Sequence, residues 1–309
     1  MIGAASRHDT ESGPGRQARL TARALAIAPL LLLLALISAA RCYPPGTRVV
    51  VFMQGIYTSY DAGGPQASYM EPHRFDTLKA AFVGKGYGTT TLLDFSYAGG
   101  TVDGPGAWLP APYTCDATDR SPGDNLAPLE EMLAAYRQKH PGAHFTLVGH
   151  SLGGYLAFLE GAREAARPDS EKLGVDVVVT LDAPLKGISA DKKTIIDLMP
   201  CVKTYLAGAD LVAARLNPGT PDVRRYQAAV MAGHGVRLAT LGNSFDCLYN
   251  TPHCTGGGFT DDSDTQFLSG EASITKDYQF DTALAFASHD AILTNQDAVR
   301  DTVAFVGAP

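Results

Sequence analysis

Between His144 and Leu159 the hydrophobic pattern changes its period across one glycine-rich turn, and that switch constrains the fold more than any other feature of the 309 residues. His144-Phe145-Thr146-Leu147-Val148 is short and rich in β-formers, and it follows a turn at Pro141-Gly142, as a buried strand would. After Gly149-His150-Ser151-Leu152-Gly153-Gly154, the apolar residues Leu152, Tyr155, Leu156 and Leu159 recur at helical spacing, with Glu160 and Arg163 falling elsewhere. In a chain with 32 glycines, a serine between glycines means little by spelling alone. The strand before it and the helix after it give it meaning.

Strand, sharp turn and helix are the context in which a serine is lifted out of the carboxyl edge of a sheet as a nucleophile, near the positive end of a helix dipole. The competing reading is an ordinary Gly-rich turn that happens to carry a polar residue. A serine needs a base, and the base needs an orienting acid. Only His234, His253 and His289 follow Ser151. His234 precedes a strand, at the wrong edge of the sheet, and His253 sits in the loop between Cys247 and Cys254. His289, in Ser288-His289-Asp290-Ala291, precedes the closing helix, where the base belongs. Two carboxylates follow strands at the carboxyl edge. Asp246 is favoured as the acid for its late place in the sheet. Asp182 is the alternative acid, or else a carboxylate accepting backbone N–H bonds before Pro184. The oxyanion donors expected are the backbone N–H groups of Leu152 and of Ile56, the latter in the loop that Gln54-Gly55 opens after the first strand.

Around this centre the chain alternates strand-like and helix-like stretches, which predicts an α/β fold with a mostly parallel sheet covered on both faces. Strands are expected at Thr47–Gln54, Thr89–Tyr97, Val175–Leu181 and Val236–Leu241, with a long loop region over 242–276 and helices over 72–83, 126–139 and 290–305, the last with room for a break. Residues 185–235 turn amphipathic and helical, as a cap or lid inserted beyond the carboxyl edge would. Residues 1–40 read as a leader: Arg16, Arg19 and Arg23 precede the uncharged run Ala24–Ala40, and Ser38-Ala39-Ala40 supplies a cleavage site. Export leaves 41–309 as one domain, in the cell envelope or outside the cell. A net charge of −7 without a basic stripe argues against nucleic acid as a partner. Five cysteines without a C-x-x-C pair fit disulfides better than a metal site. Cys247 with Cys254 and Cys115 with Cys201 are the pairs considered, leaving Cys42 odd.

Gln54-Gly55-Ile56, the GHSLGG element, Thr180–Gly187 (TLDAPLKG), Asp246 in its loop and His289 in SHDAIL together resemble the α/β-hydrolase superfamily, more narrowly its secreted bacterial lipases and esterases. The resemblance runs over essentially the whole mature chain. It implies hydrolysis of carboxylic esters with an apolar acyl part, through an acyl-enzyme on Ser151, with no cofactor. Bacterial lipases often carry a small residue where Asp182 stands, which favours Asp246. Pancreatic-type lipases place their acid after this strand, which keeps Asp182 open. The oxyanion loop departs from the frequent His-Gly. Trp108 and the apolar cap are candidates for contact with an ester or lipid substrate, and association with a membrane or lipid surface would suit both. Acyl transfer to lipid or cell-envelope acceptors, and non-catalytic lipid binding on the same fold, are the competing functions. Asp261, Asp262 and Asp264 form an acidic cluster with oxygen ligands of the kind calcium takes, but a solvated loop is the simpler reading and no metal is expected.

Overall fold

The apolar β-former runs of the sequence pair into one six-stranded sheet. The computed structural model describes residues 46–61, 64–67, 75–197, 206–243, 266–278 and 289–309. In chain order the strands are β1 (Arg48–Met53), β2 (Thr58–Asp61), β3 (Gly64–Ala67), β4 (Leu92–Asp94), β5 (Gly100–Val102), β6 (Trp108–Pro110), β7 (His144–His150), β8 (Val175–Leu181), β9 (Arg237–Asn243) and β10 (Ile274–Tyr278). The sheet runs β10-β9-β8-β7-β1-β4, and every pairing in it is parallel. Two antiparallel ribbons, β2–β3 and β5–β6, stand apart from it.

The helices are α1 (Asp76–Gly84), α2 (Pro122–Lys139), α3 (Leu152–Ala166), α4 (Ala190–Asp197), α5 (Leu206–Leu216), α6 (Thr220–Gly233) and α7 (Gln296–Val306). Alternate residues of β1 feed opposite faces, as the two-residue period of a strand requires. Val49, Val51 and Met53 pack with Leu129, Leu156 and Met231 from α2, α3 and α6. Val50 and Phe52 pack with Leu78 and Phe82 of α1 and with Val299 and Val306 of α7. Both faces are covered, so the central strands read as unbroken apolar runs.

Several elements differ from the sequence reading. Thr89–Tyr97 contributes only Leu92–Asp94 to the sheet, after a 3-10 turn at Thr89–Thr91. The helix expected at 126–139 begins at Pro122, because Ser121 caps it by accepting a hydrogen bond from the Asp124 backbone N–H at 3.2 Å. β10 was expected as loop. It is an edge strand with Lys276 and Asp277 in it, so it lacks the apolar run that marks its neighbours. Of the region expected as a cap, α6 instead lies on α3: a Cβ at Gly161 would sit 2.8 Å from Met231 Sδ. The closing helix does carry the break that the sequence left room for, with Asn295 capping α7 by accepting from the Asp297 and Ala298 N–H groups at 3.0 Å. Cys115 is disulfide-bonded. The other four cysteines, the leader and the Asp261–Asp264 cluster lie outside the described residues.

A buried carboxylate network fastens α3. Arg167 Nη1 donates to Glu160 Oε1 at 2.5 Å and to Glu164 Oε2 at 3.0 Å, while Nη2 donates to Glu130 at 2.6 Å. Burial raises the Glu160 carboxyl to about 7, against the opposing pull of the Arg167 hydrogen bond and charge. The unfolded chain ionises it near 4.5. Between those values the folded protein holds a proton that the unfolded chain has released, so stability falls as pH rises through this window, by about 3 kcal/mol. Thermal melts are expected to show Glu160→Gln within about 1 °C of wild type at pH 4.5 and several degrees above it at pH 8. A variant melting below wild type at both pH values would mean that the ionised pair with Arg167 is net stabilising.

Candidate active site

Because the sheet is parallel, the loops after β1, β7 and β8 emerge at one edge. The chain steps outward from β1 to β4, then returns to β7 and proceeds the other way through β8, β9 and β10. The crevice at such a reversal, outside the carboxyl ends of the strands, is where open α/β sheets bind ligands. Ser151 follows β7 there, between the loop of β1 and the turn of β8.

Ser151 holds φ +56° and ψ −125°, a conformation that L-residues avoid and that the surrounding packing must enforce. Its backbone N–H donates to Leu181 O at 3.0 Å, tying the turn to the end of β8. The flanking glycines allow the turn: a Cβ at Gly149 would lie 2.3 Å from Gly153 O, and one at Gly153 2.2 Å from Met53 O. Ser151 occupies the N-cap position of α3, yet its hydroxyl takes no capping hydrogen bond. A serine in that place ordinarily accepts one from the first turn, as Ser121 does. The hydroxyl is thus left for other chemistry.

Asp182 terminates β8 with φ +48°, and its N–H donates to Leu241 O at 2.7 Å. Its Oδ2 lies 2.6 Å from Nδ1 of His289. A carboxylate accepts, so Nδ1 carries the hydrogen and Nε2 keeps the lone pair of a base. Asp182, Ser151 and His289 are 1%, 5% and 6% exposed, so the pair works at low dielectric, where an oriented charge acts strongly. Tyr57, Ser151 and Asp182 are the only non-glycine residues with positive φ among the described residues. All three follow strands at this edge.

The loop after β1 is pressed against the serine: a Cβ at Gly55 would sit 2.8 Å from Ser151 Cβ and 3.3 Å from its Oγ. Thr58 Oγ1 donates to Gly55 O at 2.9 Å, and the Tyr97 hydroxyl to Gln54 O at 2.7 Å, fixing that loop. Ile56 follows directly, and Leu152 begins α3, whose first N–H groups have no partner within the helix. Gln54 is 2% exposed, and its side-chain amide finds no partner among the described residues. Such a buried group costs stability unless something binds it.

Not every residue singled out from the sequence arrives here. Trp108 ties its ribbon to the main sheet: its indole N–H donates to Asp94 O of β4 at 2.9 Å, and its ring lies 2.6 Å from where a Gly100 Cβ would be. His234 caps the C-terminal end of α6 and is exposed. Asp246 and His253 lie outside the described residues, and the acceptor at His289 Nδ1 is Asp182. His150, which the sequence reading left unassigned, is fully buried beside His289, their ring centroids 4.5 Å apart. Its only signal was its place inside the GHSLGG element.

No protein-family model matches the chain, and no curated protein sequence matches it. The chain is similar in structure to the product of the gene lin2722 from Listeria innocua, with 11% identity and a TM-score of 0.51 over 84% of this chain and 94% of that one. It also aligns with a lipase-esterase related protein from Clostridium acetobutylicum, at 12% identity and TM-score 0.47 over 84% and 93%. A third alignment is with a structure from Nitrososphaera gargenis described as a carboxylesterase, at 12% and 0.46 over 86% and 92%. At such identity the likeness speaks to the fold alone. The likeness to the Listeria protein and the six-stranded parallel sheet with its strand order give the chain the α/β-hydrolase fold.

Since a methyl at Gly55 would overlap Ser151, Gly55→Ala must push the serine or the loop aside. Reaction of Ser151 with an alkyl fluorophosphonate is expected to slow at least tenfold, with a melting temperature lowered by only a few degrees. An unchanged labelling rate would show that the serine position does not depend on this contact.

Proposed function

We propose that the protein is a serine hydrolase that cleaves carboxylic esters through an acyl-enzyme on Ser151. The observation that carries this is the 2.6 Å hydrogen bond from His289 Nδ1 to Asp182, at the same sheet edge as a serine whose hydroxyl is not used as a helix cap. In the reaction, Ser151 Oγ attacks the ester carbonyl carbon while His289 Nε2 takes its proton. The oxyanion lies between the N–H groups of Leu152 and Ile56. Collapse breaks the bond to the alcohol, which leaves with the proton from His289. Water then attacks the acyl carbon, His289 removes its proton, and Ser151 is released with the acid product. Asp182 stays ionised throughout and stabilises the imidazolium.

The acid is therefore assigned to Asp182, in place of Asp246. Helices α4 (Ala190–Asp197) and α5 (Leu206–Leu216) are assigned to the apolar acyl part, which makes esters and lipids the substrate class and a lipid surface a natural location. The leader reading of residues 1–40 puts the activity outside the cytoplasm.

Hydrolysis of p-nitrophenyl esters of increasing acyl length tests this. Ser151→Ala is expected to abolish turnover, and Asp182→Asn to lower kcat by about 10³–10⁴. Asp246→Asn is expected to leave it within about threefold. Loss with Asp246→Asn and retention with Asp182→Asn would move the acid back to Asp246. Equal inertness of wild type and Ser151→Ala would end the ester hydrolase reading.

A further inference from the structure

We infer that His150, the residue before the nucleophile, is a positioning residue that ties the catalytic base to the nucleophile turn through the His289 backbone. This rests on the hydrolase reading above. His150 Nε2 lies 2.9 Å from His289 O across 139 positions of sequence. A carbonyl oxygen only accepts, so His150 carries its hydrogen on Nε2 and donates it. The same nitrogen is 3.8 Å from Asp290 Oδ1, beyond hydrogen-bonding range. The two imidazoles pack at 45°, and His150 is 0% exposed.

The consequence is mechanical. His289 is held by Asp182 at its side chain and by His150 at its main chain, and those two anchors end neighbouring strands, β8 and β7. The residues after His289 are fastened locally, with Leu293 N–H donating to Asp290 O at 3.0 Å and Asn295 N–H to Ala291 O at 2.8 Å. Ile292 and Leu293 are buried. Without the His150 bond the main chain at His289 would lose its tie to the end of β7, and the base would be less firmly held against the serine next door in sequence to its anchor. A misplacement of about 1 Å in a reacting group lowers rates by about 10²-fold.

Phe and Gln separate this role from mere core filling. His150→Phe keeps a ring of similar size but has no donor, whereas His150→Gln places an amide N–H near the position of Nε2. On the full chain with p-nitrophenyl esters, His150→Phe is expected to lower kcat by 10- to 100-fold with KM within about twofold. His150→Gln is expected to recover most of that loss, while both melt within a few degrees of each other. If His150→Phe keeps wild-type kcat, or if His150→Gln is as impaired as His150→Phe at equal thermal stability, the inference fails while the hydrolase reading stands. If the wild type itself turns over no ester, both fall.

Discussion

The first turn of α3 lies so close to β1 that a methyl at Gly153 would sit 2.2 Å from the Met53 carbonyl oxygen, and the geometry of the site follows from that approach. With the helix at this height, the link from β7 has only one residue in which to reverse, and Ser151 absorbs the strain at φ +56°. The same closeness presses Gly55 against the serine, so the β1 loop and the first N–H groups of α3 converge on one point. An extra carbon at Gly149, Gly153 or Gly55 would separate elements that the proposed chemistry needs together.

The polar half of the site depends on a different constraint. Asp182 is nearly inaccessible to water, and a carboxylate in that position is tolerated only when it is paired. Its partner is His289, 107 residues further along the chain. Burial favours this pairing, and pairing fixes the tautomer in which His289 Nδ1 carries the hydrogen and Nε2 the basic lone pair. The strain at Asp182 and Ser151 is thereby held by sheet hydrogen bonds to Leu241 and Leu181. Neither turn can relax without opening the end of β8.

What was legible in the sequence follows from the period of each element. β1, β7, β8 and β9 announced themselves because both of their faces are buried, whereas β10 did not, since an edge strand is free to carry Lys276 and Asp277. An amphipathic pattern reports that a helix packs, not against what, which is why α6 read as cap although it lies on α3. The strand-to-helix turn at Ser151 and the place of His289 before the closing helix were readable from local context. The partner of His289 was harder, because Asp182 and Asp246 both follow strands in the sequence and the contact of Asp182 with the imidazole spans 107 residues. His150 carries no periodic signal at all, and its contact spans nearly half the chain.

Covalent labelling by an alkyl fluorophosphonate tests the central claim most directly, because it requires an activated serine but no particular ester. The account expects one adduct, mapped by peptide mass spectrometry to Ser151, forming at least 10²-fold more slowly in Asp182→Asn. No adduct on Ser151, or labelling at the same rate in Asp182→Asn, would contradict it.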